Sequence, residues 1–421
     1  MYTIATLNKI SPIGLNRFTD QYSISDSEEA LNQASGIMVR SQNMLDMDFS
    51  PNLLAIARAG AGVNNIPLDK CADEGIVVFN TPGANANSVK ELVIASLIIA
   101  ARNIDSGISW VQSVASDPQV EDVSKTVEKG KGQFAGNEIA GKTLGVMGLG
   151  AIGAMVANSA LALGMKVVGY DPYLTPAAAA RLQPEVRTVA TPEEMLPECD
   201  FITLHLPALD STKGMVNQEF ISHFKPGAIL LNFSRDKLVD ETSILSALES
   251  GKLKKYITDF ITSGIAGKPG VTCMPHLGAS TEEAEDNCAV MAAEELMSYI
   301  EKGTIKNSVN FPNVSLDAAN CNASGNTANC NSADGNAANC NAANCAEGCT
   351  RLAILTKGID DPVKFATDML SGMASDMQSS LRILAAAGGT RSQYGYALLA
   401  VEGDLESLPE AEGIIRTRII K

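Results

Sequence analysis

Positive charge is scarce in this sequence: 32 Lys and Arg stand against 48 Asp and Glu in 421 residues, a formal net charge of −16. No basic run exceeds two residues. Such a surface repels a phosphate backbone and argues against nucleic acid as a partner. Long apolar runs are missing too. The longest, "LVIASLIIAA" at 92–101, is bracketed by Lys90, Glu91 and Arg102, and reaches roughly half the ~20 residues needed to cross a bilayer. It reads as a buried helix, with no membrane partner. The opening "MYTIATLNKI" lacks the basic and apolar regions of a secretory signal, so a cytoplasmic protein is expected. Histidine is rarest among the chemically useful residues. Only His205, His223 and His276 occur, so any imidazole acid–base chemistry must use one of these three.

Cysteine is less scarce, but its distribution does not suggest a disulfide framework. Cys71, Cys199, Cys273 and Cys288 are scattered singly through globular sequence and read as reduced, buried thiols. The other five lie in 315–349, an Asn-Cys-Asn-Ala tract with almost no large apolar residue. Their spacings of 9, 10, 5 and 4 form no paired C-x₂-C hooks, so no metal site is expected. The tract is read as a linker over 313–349, too polar to bury a core.

What is present is a βα rhythm. Short apolar strands alternate with helical stretches through 1–80, and the alternation sharpens from Gly141 in "KTLGVMGLG", "KVVGYDP", "FITLHLP", "AILLNFS" and "KKYITDF". This is the pattern of parallel sheets with crossover helices. Residues 282–303 form a long amphipathic helix ending at a glycine. Beyond the tract, 350–421 reads as a small βαββαβ-like domain.

"GVMGLGAIG" follows a strand and opens a helix, placing Gly148, Gly150 and Gly153 in G-x-G-x-x-G spacing. The first glycine permits a tight turn, the second lets a pyrophosphate approach the backbone, and the third lets helix and strand pack closely. Ala151 and Ile152 complete the loop. Asp171 ends the next strand, 18 residues past Gly153, where a carboxylate can accept from ribose hydroxyls and repel a 2′-phosphate. NAD is therefore expected rather than NADP.

With this fingerprint in place, "ARAGAGVNNI", "FNTPGANANSVKELV", "NFSRDKLVD" and "PHLGASTEEAEDNCAVMAAEEL" resemble the phosphoglycerate-oxidising members of the D-2-hydroxyacid dehydrogenase family over residues 1–312. The tail looks like an ACT domain, an amino-acid-binding regulatory module. The resemblance implies an α/β protein with two Rossmann-like domains. A flavodoxin-like substrate domain (1–90 and 282–312) would be interrupted by an NAD-binding domain (91–281), with an ACT-like α+β domain at 350–421.

It also implies site residues. Arg235 would bind the substrate carboxylate, and His276 would act as acid and base toward the 2-hydroxyl. Arg40 and Ser41 would grip a phosphate, and Gly60, Ala61 and Gly62 would offer N–H groups to the carboxylate. Asp259, His205, Pro207 and Gly278 would line the cofactor. The implied reaction is NAD-dependent oxidation of 3-phosphoglycerate to 3-phosphohydroxypyruvate, in a homodimer or homotetramer with an amino-acid effector at the tail. Independent chemistry agrees, because oxidising a 2-hydroxy acid needs a base, a cation for the carboxylate and a hydride acceptor.

Two departures open alternatives. The family places a glutamate beside its catalytic histidine, and the aligned position here is Ser263, with no acidic residue between Asp259 and Glu282. Asp236 stands where glycine usually follows the arginine. The alternatives are a dehydrogenase for another D-2-hydroxy acid, or a catalytically weakened NAD-binding regulatory protein.

Overall fold

The computed structural model describes residues 1–316, 350–377, 381–403, 405 and 411–421. Most of the Asn/Cys tract lies outside these residues. The chain divides into two compact units, one of 1–84 with 285–421 and one of 85–284.

In the first unit, β1 (Tyr2–Leu7), β2 (Tyr22–Ser25), β3 (Gly36–Val39), β4 (Ala55–Arg58) and β5 (Val77–Asn80) form a parallel sheet in the order β2-β1-β3-β4-β5. This is the doubly wound flavodoxin-like order. β3 is buried at every position, as expected of a strand covered on both faces.

The second unit contains β6 (Thr143–Met147), β7 (Lys166–Tyr170), β8 (Arg187–Val189), β9 (Phe201–Leu204), β10 (Ala228–Asn232), β11 (Leu253–Thr258) and β12 (Val271–Cys273). Their order is β12-β11-β10-β9-β6-β7-β8, all parallel. Strand order reverses between β6 and β9. Ligands of open α/β sheets bind at such a switch point, outside the carboxyl ends of the strands.

The C-terminal residues belong to the first unit. β13 (Thr350–Lys357), β14 (Arg382–Arg391), β15 (Tyr394–Glu402) and β16 (Ile414–Ile420) form an antiparallel sheet in the order β14-β15-β13-β16. Its two faces follow the strand period of two. Leu352 and Ile354 share a cluster with Leu370 of the helix Pro362–Met377. Ala353 and Leu355 instead join the core built on β1, β3–β5 and the long helix Glu282–Lys302. Covered on both sides, β15 is buried from Tyr394 to Val401.

The C-terminal strands also finish the long helix. Its last carbonyls would lack partners within the helix. Arg418 donates to the Ile300 and Tyr299 carbonyls at 2.7 and 3.4 Å, and Arg351 donates to Lys302 at 2.9 Å. The Tyr396 hydroxyl donates to Gly303 at 2.6 Å. Two cations at a helix C-terminus are electrostatically favourable. Among the described residues, no single helix is long and apolar enough to cross a membrane.

Candidate functional site

The glycine loop follows β6, and the space around each glycine fits its expected role. Gly148 has φ +91°, and a Cβ there would run into the His205 carbonyl. A Cβ on Gly153 would strike the Gly148 carbonyl, so only glycine lets the helix Ala151–Ala162 start so close to the strand. At Gly150 nothing lies within 4 Å of a Cβ position. Open space therefore meets the free N–H groups of a helix N-terminus there, which suits a pyrophosphate. Asp171, at the end of β7, accepts from the Leu149 N–H at 2.9 Å and from the Tyr173 N–H at 2.9 Å. It fastens the glycine loop as well as facing it, a second role that spacing alone does not show.

Three candidates leave the carboxyl ends of neighbouring strands: Arg235 after β10, Asp259 after β11 and His276 after β12. Arg235 is exposed, and its guanidinium makes one hydrogen bond, to the Ser234 carbonyl at 2.6 Å, with no ion pair among the described residues. Its loop is shaped by Asn232, a fully buried amide that donates to the Arg235 carbonyl at 2.8 Å and accepts from the Ser234 N–H at 3.2 Å. His276 is exposed and packs edge-on against Phe260, ring centroids 4.7 Å apart.

Asp259 is 3% exposed, and its Oδ1 is buried without a partner among the described residues. Burial raises its carboxyl pKa, while His276, the Gly278 N–H and Arg235 pull it back down. Gly278 is buried, and a Cβ there would sit 3.5 Å from Asp259 Oδ2. His205 follows β9 and shares a hydrogen bond with the Thr203 hydroxyl at 3.0 Å through Nε2, while its Nδ1 is buried without a partner among the described residues. Burial lowers its pKa to about 3, so the ring is neutral. Pro207 is exposed beyond it.

Ser263 is exposed and makes no side-chain hydrogen bond among the described residues, and Asp236 likewise makes none. A carboxylate does reach this segment from elsewhere in the sequence. Glu241 accepts from the Thr262 hydroxyl at 2.6 Å and lies where a Cβ on Gly264 would fall. No motif signals that contact, because it joins the start of the helix Glu241–Glu249 to a loop through the fold.

In the first unit the remaining candidates also follow strand ends. Arg40, after β3, pairs with Glu285 at 2.6 Å. The Ser41 N–H donates to Asn8 Oδ1 at 3.0 Å. After β4, Gly60 has φ +150° and its N–H is already committed to the Arg58 carbonyl at 2.8 Å. Ala61 and Gly62 have no backbone acceptor for their N–H groups among the described residues. The loop is held by its carbonyls: Asn80 Nδ2 donates to Ala61 at 2.6 Å, and the Thr81 N–H donates to Gly60 at 3.2 Å.

The family model for the D-isomer specific 2-hydroxyacid dehydrogenase NAD-binding domain matches residues 94–278. D-3-phosphoglycerate dehydrogenase of Bacillus subtilis (strain 168) is 32% identical over 333 residues, 75% of this chain and 60% of that protein. The enzyme of the same name from Methanocaldococcus jannaschii is 35% identical over 295 residues, 68% of this chain and 53% of that one. The chain thus spans little more than half the length of these curated relatives. Among solved structures, NAD⁺-bound 3-phosphoglycerate dehydrogenase of Entamoeba histolytica is similar with a TM-score of 0.56 at 28% identity, covering 73% of this chain and 98% of that one.

Proposed function

We propose, for a chain that belongs to the D-isomer specific 2-hydroxyacid dehydrogenase family through the NAD-binding domain at 94–278, that it oxidises 3-phosphoglycerate to 3-phosphohydroxypyruvate. The observation that carries this reading is the convergence of Arg235, Asp259 and His276 at the carboxyl ends of three adjacent strands, β10, β11 and β12. A base and a cation for the carboxylate are groups that 2-hydroxy acid oxidation requires, and Asp259 adds an acceptor for a donor on the cofactor that takes the hydride.

The exposed guanidinium of Arg235, with a single hydrogen bond and no ion pair among the described residues, suits a planar carboxylate, which it can hold through two parallel hydrogen bonds. Ala61 and Gly62 add N–H donors, and Arg40 with Ser41 holds the phosphate. His276 takes the proton of the 2-hydroxyl, the general-base role that imidazole fills more often than any other side chain. A bound NAD would supply the hydride-accepting chemistry for the substrate's second carbon. The Ala151–Ala162 helix N-terminus and Gly150 hold its pyrophosphate, Asp171 its ribose hydroxyls, and the bare Asp259 Oδ1 its carboxamide N–H. His205, Pro207 and Gly278 complete the wall.

Residues 350–421 serve as an ACT-like regulatory domain for an amino-acid effector. Exposed Ile104, Ile108 and Val111 lie at i, i+4 and i+7 on the helix Ile104–Ser116, an apolar stripe that supports a homodimer or homotetramer. The unpaired thiols of Cys71, Cys199 and Cys288, all buried, are consistent with a cytoplasmic setting.

A second reading, an NAD-binding protein of low turnover, is favoured by Ser263, which stands exposed where the family carries its glutamate. Steady-state kinetics with NAD and a panel of 2-hydroxy acids separates the readings. Highest kcat/KM on the 3-phosphorylated acid supports the proposal, preference for another acid shifts the substrate, and NAD binding without turnover favours the second reading.

A further inference from the structure

Glu295 is an acid where none is needed for solubility. It sits on the long helix Glu282–Lys302 and is 6% exposed. Oε1 accepts from Asn307 Nδ2 at 2.7 Å, while Oε2 is buried with no partner among the described residues. Burial pushes its carboxyl up to about 8, against the opposing pull of the Asn307 hydrogen bond and Lys306. The other charges near this segment are Glu294, which pushes the same way as burial, and Arg391 of β14, whose guanidinium binds the Ser308 carbonyl at 2.7 Å.

The residue that Glu295 holds is itself strained and connected. Asn307 has φ +60°, a left-handed conformation that asparagine tolerates better than most residues. Its carbonyl accepts from the Asn80 N–H at 3.4 Å, and the Val309 N–H donates to Val78 at 2.9 Å, so the segment runs along β5. Asn310 fixes the same strand, accepting from the Val78 N–H at 2.9 Å and donating to the Ile76 carbonyl at 2.9 Å. Asn80 then turns its side chain onto the Ala61 carbonyl at 2.6 Å.

We propose that Glu295 is a positioning residue for the loop Gly60–Gly62, acting through Asn307 and Asn80, and that its ionisation loosens that loop. The kinetic part rests on the reading that this loop binds the substrate carboxylate. A neutral carboxylic acid keeps Asn307 in place at little electrostatic cost. Deprotonation leaves a charge on a buried oxygen with no donor among the described residues, which favours opening of the 303–310 segment. Glutamine would match the neutral acid in shape and could not ionise.

The test compares wild type, Glu295→Gln and Glu295→Ala by amide hydrogen exchange and by kinetics between pH 6.5 and 9.5. In wild type, exchange of a peptide spanning 78–82, whose Asn80 and Thr81 N–H groups donate to the Asn307 and Gly60 carbonyls, should rise about tenfold above pH 8 after correction for intrinsic pH dependence, the effect of one lost net hydrogen bond. Glu295→Gln should stay protected throughout, and Glu295→Ala should be fast at every pH. KM for the 2-hydroxy acid should follow the same order, with KM for NAD unchanged. Exchange is read without substrate, so it decides the positioning claim even if the dehydrogenase reading fails. Protected 78–82 in Glu295→Ala, or a wild-type pH response retained in Glu295→Gln, overturns the proposal. Coupled exchange with KM unmoved would keep the network and count against the loop's role in substrate binding.

Discussion

The carboxylate of Asp171 accepts from the Leu149 N–H at 2.9 Å, binding the tip of the glycine loop to the end of the neighbouring strand. Hydrogen bonds to a charged acceptor contribute about 1.5–3 kcal/mol. Asp171→Ala is therefore expected to raise KM for NAD by about tenfold or more and to narrow the preference for NAD over NADP. Initial rates with both cofactors check this. Equal use of the two by the unmodified protein would remove the argument from charge.

Arg40 is held by Glu285 at 2.6 Å, with both side chains partly exposed. A substrate phosphate must compete with that carboxylate and is repelled by it. Exposed pairs of this kind are weak, so Glu285→Gln is expected to lower KM for the phosphorylated acid about two- to fivefold. KM for an unphosphorylated 2-hydroxy acid should not move. Parallel titrations of both substrates make the comparison.

How much of this arrangement can be read from sequence depends on whether a constraint is local. The glycines at 148 and 153 are legible because backbone geometry admits nothing larger, and Asp171 because it ends a strand at a fixed distance. Arg235 and His276 are legible only by resemblance, since neither has a local signature. Glu241 against Thr262, Glu285 against Arg40 and Arg418 against the end of the long helix are invisible in sequence: each joins residues 21, 245 and 118 positions apart or more. The sharing of one apolar core by the C-terminal sheet and the first sheet also escapes a reading by periodicity, which reports that β15 is covered on both faces but not by what.

Arg418 stacks 4.8 Å from the Tyr299 ring centroid while capping Ile300, so its removal costs both contacts. Arg418→Met is expected to destabilise the first unit by about 1–3 kcal/mol. Denaturant unfolding followed at Tyr299's neighbourhood, or by calorimetry, would register the loss. Unchanged stability would mean that the helix end finds water as a substitute.

His205 has a pH signature in stability. The unfolded imidazole binds a proton near pH 6.5, whereas the buried folded ring resists until about 3. Between these values the unfolded state binds more protons, so stability falls as pH drops through that window. His205→Gln is expected to flatten this part of the curve. Melting temperatures from pH 4 to 7 for the two proteins check it, and identical slopes would show that His205 reaches solvent.

Ser263→Glu restores an acid to the exposed segment beside the Thr262–Glu241 contact. An anion near His276 favours imidazolium. The variant is expected to raise kcat and to move the associated pH–rate midpoint upward. Both effects should vanish when His276 is also replaced, and a gain that survives the double substitution would assign the effect elsewhere.

Turnover by His276→Asn tests the central claim most directly. Measured at saturating NAD and 3-phosphoglycerate, with NAD affinity determined separately by fluorescence titration, kcat is expected to fall about 10²–10⁴-fold while NAD binding persists. Turnover within about twofold of wild type would contradict the account, because the proton of the 2-hydroxyl would then have to leave by a route that does not pass through His276.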